Sequence, residues 1–120
     1  MPRMMIVGEN RTPFHSVLNR ASELDAVVGY NKALECLDNY DLVFVDKRLG
    51  EWTERDDSLF KEIRRRTSDR ELGLYVVVSD FNSHYIDNIF HSARAGADYY
   101  LRNLSDRVID NIREKRWPYE

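Results

Sequence analysis

Cysteine is almost absent from this chain, since Cys36 is the only one among 120 residues. A single cysteine excludes an internal disulfide and a cysteine-rich zinc site, and it is typical of a reducing compartment. No apolar run approaches the roughly 20 residues of a transmembrane helix, and the apolar stretch after Met1 is too short for a signal-peptide core. We therefore expect a cytoplasmic protein that does not contact a membrane.

The sequence also lacks a strong excess of one charge. Its 18 basic and 21 acidic residues give a net charge of −3, which does not favour direct binding of nucleic acid. The 42% hydrophobic and 32% charged content is typical of a globular protein and not of a disordered one. The length predicts a single domain over residues 1–120.

Short apolar runs alternate with amphipathic stretches along the chain. The runs predict strands at 4–7, 26–28, 42–45, 73–78 and 99–101. Helices are predicted from Thr12, over 32–37, from Asp56 or Asp57 to about 66, over 83–95 and from about 104. The fourth of these has the apolar stripe Ile86, Ile89, Phe90 and Ala93. Strands joined by helical crossovers predict an α/β, flavodoxin-like, doubly wound sheet of five parallel strands in the order 2-1-3-4-5, with five helices.

The most informative segment is Asp41-Leu-Val-Phe-Val-Asp46. Its uninterrupted apolar residues indicate a strand covered by helices on both faces. Ligands bind such sheets at the carboxyl ends of the strands, where Asp46 would lie. Taken alone, Asp46 is better explained as a residue that caps the following turn.

Polar residues are predicted to converge at that edge of the sheet. Glu9 follows the first strand, Asp46 ends the third and Ser79 follows the fourth, while Asn103 comes just after the fifth. Two carboxylates and a hydroxyl suit a hard cation and a phosphoryl group. The alternative is a set of turn and capping residues.

In this order and spacing, three segments resemble the receiver domains of two-component response regulators. The run 41–50 is similar to the phosphoacceptor strand and its loop, and Val76-Val77-Val78-Ser79 to the fourth strand with its Ser/Thr. Ala95-Gly-Ala-Asp-Tyr-Tyr-Leu101 is similar to the entry into the fifth strand. The resemblance covers roughly the whole chain.

The resemblance implies a role for each matching position. Asp46 would be the phosphoacceptor, and Glu9, Asp46 and the main-chain carbonyl of Arg48 would bind Mg²⁺. Ser79 would contact the phosphoryl group, and Tyr100 would be the aromatic residue that moves with it.

Two departures from the family pattern weaken this site. Gly8 takes the place of the first acidic residue, so that Glu9 lacks its usual partner. Asn103 takes the place of the lysine that neutralises phosphoryl oxygens in the family. A charge-assisted hydrogen bond is about twice as strong as a neutral one, so loss of the lysine matters most. We expect Mg²⁺ to bind weakly at best.

Three functions are therefore weighed. The leading one is an atypical receiver that acts as a signalling and protein-interaction module with a degenerate phosphorylation site. The alternative is a working Mg²⁺-dependent phosphoprotein, phosphorylated on Asp46. A nucleotide- or flavin-binding protein ranks third, because Gly8-Glu9-Asn10-Arg11 has no glycine-rich phosphate loop.

The resemblance also implies the kind of partner. A histidine kinase, a phosphotransfer protein or an output protein is expected, and a homodimer can form through the predicted fourth helix, fifth strand and fifth helix. No enzyme activity is expected beyond autophosphorylation from a phosphodonor.

Overall fold

The computed structural model describes residues 3–8, 24–47, 52–67, 73–77, 84–102 and 104–120. The strands are β1 (Met4–Gly8), β2 (Leu24–Val28), β3 (Leu42–Asp46), β4 (Gly73–Val77) and β5 (Tyr99–Leu101). The α-helices are α1 (Tyr30–Cys36), α2 (Glu54–Thr67), α3 (Tyr85–Arg94) and α4 (Asp106–Arg113), and the 3₁₀ turn Leu37–Asn39 follows α1. The helix predicted from Thr12 lies outside the described residues, so α3 and α4 are the predicted fourth and fifth helices.

The strands form one parallel sheet in the order β2-β1-β3-β4-β5. The central pair is in register from Met4 opposite Leu42 to Val7 opposite Val45, and Asp46 lies opposite Val77 of β4. This is the predicted strand order, and the predicted parallel α/β fold is confirmed. Strands β2 and β5 are the two edges of the sheet.

Alternate residues of the central strands point into two separate apolar clusters. Met5, Val7, Val43 and Val45 pack with residues of α1 and α2 on one face. Met4, Ile6 and Phe44 pack with Leu101 and the apolar residues of α4 on the other. Val43, Phe44 and Val45 are completely buried, as predicted for a strand covered on both faces.

Helix α2 begins earlier than predicted. The sequence predicts its start at Asp56 or Asp57, but the helix begins at Glu54 and Asp56 lies in its first turn. The Thr53 amide donates to Asp56 Oδ2 at 2.8 Å, and the Asp56 amide to Thr53 Oγ1 at 3.4 Å. This reciprocal pair is a capping box in which aspartate takes the place of the usual glutamate. Among the described residues, no helix is long and apolar enough to cross a bilayer.

The apolar stripe of α3 is not the face that this helix buries. Ile86 and Phe90 are 63% and 66% exposed, whereas Asn88 and Ser92 are buried. When α3 is viewed down its axis, with 100° between successive residues, the face of Asn88 and Ser92 is centred roughly 120° from the apolar stripe. Burial of Ser92 is tolerated because its hydroxyl donates to the Ile89 carbonyl at 3.0 Å, so the hydroxyl is satisfied within the helix. The apolar stripe of α3 therefore faces solvent.

Candidate functional site

Asp46 is the last residue of the central strand β3, as predicted. Gly8 ends the neighbouring strand β1, and Val77 ends β4 on the other side. Because all the strands are parallel, these ends share one edge of the sheet. Asp46 is half-buried there, with Gly8 beside it in place of a second carboxylate.

Of the six predicted site residues, the structure describes Asp46 and Tyr100. Glu9, Arg48, Ser79 and Asn103 lie outside the described residues. The convergence of their side chains on one pocket therefore stays a prediction.

A buried ion pair lies directly after Asp46. Lys47 Nζ is 2.9 Å from Asp56 Oδ2, and the two side chains are 8% and 1% exposed. Strand alternation directs Lys47 to the side of the sheet opposite Asp46, towards the cluster formed with α1 and α2. An ammonium group is thus near the edge in sequence, but its charge is compensated by Asp56.

Asp56 is an acceptor for several elements at once. Besides Lys47, the Tyr30 hydroxyl donates to Oδ1, and the amide and hydroxyl of Thr53 donate to Oδ2 at 2.8 and 3.1 Å. Several donors around one carboxylate offset the cost of burying its charge. The network ties α1 and the start of α2 to the residue that follows Asp46.

Sequence reasoning missed this network. The pattern Thr53-x-x-Asp56 is typical of a helix start, and Lys47 is separated from the apolar run 42–45 by Asp46. Nothing in the sequence shows that the two meet, because the contact requires α2 to fold back onto the sheet.

Tyr100, the middle residue of β5, packs against the cluster beneath α1 and α2. Its ring meets Tyr85 edge to face, with centroids 5.9 Å apart. Its hydroxyl is buried and has no hydrogen-bond partner in the described part of the chain. Burial raises the pKa of Tyr100, and the nearby Tyr85 raises it further. An inward phenol without a partner is a donor available to an acceptor that approaches it.

Arg102 follows β5 and connects it with α3. Its guanidinium lies 5.9 Å from the centroid of the Tyr85 ring, within the range of a cation–π contact. The positive charge next to position 103 is therefore directed over an aromatic ring of α3.

The donors of the predicted Mg²⁺ site are oxygen atoms, which is the ligand type that Mg²⁺ prefers. Gly8 supplies no carboxylate, and its carbonyl accepts from the Gly29 amide at 2.8 Å. Within the described ranges, no group of three His, Cys, Asp or Glu side chains is arranged to bind a metal ion. Because Glu9 and Arg48 lie outside those ranges, Mg²⁺ binding stays a prediction.

Comparison with known proteins finds similarity in structure and none in sequence. No protein-family model matches the sequence, and a search of curated proteins gives no significant match. Among solved structures, 47 chains match significantly. One is a CheY-like response regulator receiver domain protein from Methanospirillum hungatei JF-1, with a TM-score of 0.61 and 16% identity over 96% of this chain and 94% of that one.

Another match is NtrX from Brucella abortus, solved in complex with ADP and with ATP. The two structures have TM-scores of 0.61 and identities of 14% and 15%, and each match covers 96% of this chain but 27% of NtrX. Identities this low establish a common fold and no more. The chain therefore has the fold of a CheY-like receiver domain.

Proposed function

We propose that this chain is an atypical receiver domain that acts through protein–protein contact, with a degenerate phosphorylation site. The observation that supports this best is the receiver fold, with Asp46 at the carboxyl end of its central strand. Fold alone does not define function, so the proposal also depends on the residues around Asp46.

The degenerate character follows from two positions. Gly8 ends β1 beside Asp46 and has no side chain to share a cation with Glu9. Asn103 can donate a hydrogen bond to a phosphoryl oxygen but brings no positive charge. The nearest ammonium in sequence, that of Lys47, is already bonded to Asp56. A phosphoryl group on Asp46 would therefore gain less stabilisation than in a complete site.

A working phosphoacceptor is the alternative, and it is supported by the position of Asp46. In that reaction an Asp46 carboxylate oxygen would attack the phosphorus of acetyl phosphate. The P–O bond to acetate would break, and acetate would leave with the bonding electrons. Mg²⁺, when bound to Glu9, Asp46 and the Arg48 carbonyl, would neutralise charge on the phosphoryl oxygens.

In either case Tyr100 is proposed to respond to Ser79. Its buried hydroxyl has no acceptor among the described residues, and Ser79 lies outside them. A Ser79 side chain that turns towards Asp46 would change what this phenol contacts. The chain is not proposed to be an enzyme beyond this self-phosphorylation.

The proposed partner surface consists of α3, β5 and α4, and we call it the α3–β5–α4 face. Ile86 and Phe90 project from it into solvent. Charged residues of both signs follow them along the same stretch of the chain: Arg94, Arg102, Asp106, Arg107, Asp110 and Arg113. An apolar patch among mixed charges suits a homodimer or a kinase, phosphotransfer or output protein.

Intact-mass measurement after incubation with acetyl phosphate and Mg²⁺ tests the proposal, with Asp46→Asn as the matched control. The degenerate site predicts that wild type, like Asp46→Asn, gains no stable phosphoryl group. A gain in wild type that is absent from Asp46→Asn would favour the working phosphoacceptor. Tight binding of a nucleotide or flavin would instead favour the third function, that of a nucleotide- or flavin-binding protein.

A further inference from the structure

The chain reverses direction sharply after α4. The Arg116 amide donates to the Asn111 carbonyl at 2.7 Å, and the Lys115 amide to the Ile112 carbonyl at 3.0 Å. These two bonds form a Schellman motif, in which glycine usually takes the left-handed position. Here that position is Lys115, with φ of 60°, so the reversal is made against a backbone preference.

The reversal lays residues 117–120, here called the cover segment, onto β5. The Tyr119 hydroxyl accepts a hydrogen bond from the Arg102 amide at 2.8 Å. The Trp117 ring meets Tyr99 edge to face at 5.7 Å, and Asn111 Nδ2 donates to the Pro118 carbonyl at 2.9 Å. Arg102 directly follows the edge strand β5, so Tyr119 occupies a main-chain donor at the end of that edge.

Within the cover segment Pro118 is buried, and Asn111 Nδ2 also donates to the Glu120 carbonyl at 3.4 Å, but the two aromatic side chains are largely in solvent. Trp117 and Tyr119 remain 60% and 46% exposed. An open cleft of about 480 Å³ is lined by residues of α4 and of the segment that follows it: Arg107, Asp110, Asn111, Arg116 and Glu120. High exposure of side chains is a feature of elements that open at low free-energy cost.

We propose that the cover segment is a displaceable cover of β5 within the α3–β5–α4 face, and that a second copy of this chain occupies the whole face when the segment is displaced. This inference rests on the homodimer named in the proposed function. The segment contacts β5, the central element of that face, so cover and second copy would compete for the same strand.

A second copy fits this face better than an unrelated partner because the face can complement itself. Two-fold dimers bring the same patch together from both subunits. Helix α4 carries Asp106 and Asp110 as well as Arg107 and Arg113, so opposite charges can pair across the two-fold axis. The exposed Ile86 and Phe90 of α3 would be buried at the same time.

Two variants with opposite effects test the proposal. Trp117→Ala/Tyr119→Ala removes exposed rings and should release the segment without loss of the fold. Lys115→Gly relieves the left-handed strain and should hold the segment more firmly. Glu35→Gln, at an exposed position of α1, is the control. The dimer Kd is measured by sedimentation velocity over a concentration series, and exchange of the Arg102 amide by NMR.

The released variant should dimerise about five-fold more tightly than wild type, as loss of one hydrogen bond predicts, with faster exchange at Arg102. Lys115→Gly should weaken dimerisation by a similar factor and slow that exchange. Loss of two exposed aromatic rings would reduce non-specific hydrophobic association. A lower dimer Kd in the released variant therefore cannot result from such association.

An unchanged dimer Kd in the released variant, or Arg102 exchange that is the same in all variants, would overturn the proposal. So would the absence of dimers in every variant. The intact-mass measurement tests the degenerate phosphorylation site separately. Failure of that proposal can therefore be distinguished from failure of the cover-segment proposal.

Discussion

Replacement of Asp56 by asparagine removes the negative charge from the buried pair and leaves the Lys47 ammonium without its counter-charge. Loss of one partner from a buried ion pair costs about 3–5 kcal/mol. Asparagine keeps one acceptor oxygen for Tyr30 or Thr53, so we expect the lower end, about 3 kcal/mol. For a domain of this size, such a loss lowers Tm by roughly 10–15 °C.

A second substitution makes this prediction specific, because it should raise stability in the Asp56→Asn background. Lys47→Met fills a similar volume without a charge, so its addition to Asp56→Asn should recover part of the lost stability. Urea unfolding followed by circular dichroism gives the free energy of unfolding for wild type, both single variants and the double variant.

The exposed pair Lys32 and Glu35 is the matched control. Its charged atoms are 3.7 Å apart, and the side chains are 67% and 70% exposed, so Glu35→Gln should change stability by about 0–1 kcal/mol. The reasoning is refuted if Asp56→Asn costs no more than Glu35→Gln, or if Lys47→Met gives no recovery in the Asp56→Asn background.

Three further predictions concern the fold. Phe90→Ser should change the free energy of unfolding by less than about 0.5 kcal/mol, whereas Phe60→Ala should lower it by about 3–5 kcal/mol. If urea unfolding shows similar decreases for the two variants, the outward orientation of α3 is contradicted. The hydrogen bond to Asp25, together with burial, raises the pKa of Tyr40 to about 12. The stabilisation of the fold by protonated Tyr40 is therefore complete below pH 10 and is lost as the pH rises to about 12. Tyr40→Phe should therefore lose less stability than wild type between pH 8 and pH 11, and equal losses would count against this. Gly96 has φ of 97°, so Gly96→Ala should cost about 1–2 kcal/mol, and an unchanged Tm would contradict the strain.

The sheet could be predicted from the sequence because burial on both faces leaves a simple pattern. Val43, Phe44 and Val45 are apolar without interruption, and all three are fully buried. The orientation of α3 could not be predicted, since its apolar stripe and its inward face do not coincide. Asn88 and Ser92 face inward, and only tertiary packing determines that choice.

The candidate site was predictable in part for a similar reason. Asp46 is found at the end of a central strand because the apolar run before it defines that strand. The contact between Lys47 and Asp56 depends on how α2 packs against the sheet, and the sequence contains no signal of it. The inward position of Tyr100 likewise depends on its packing against Tyr85.

The central claim is that the site lacks the positive charge needed to stabilise a phosphoryl group on Asp46. Its most direct test compares wild type with Asn103→Lys by intact mass after treatment with acetyl phosphate and Mg²⁺. The account predicts a phosphoryl adduct in Asn103→Lys that is absent from wild type and from Asn103→Lys/Asp46→Asn. Equal phosphorylation of wild type and Asn103→Lys would contradict it.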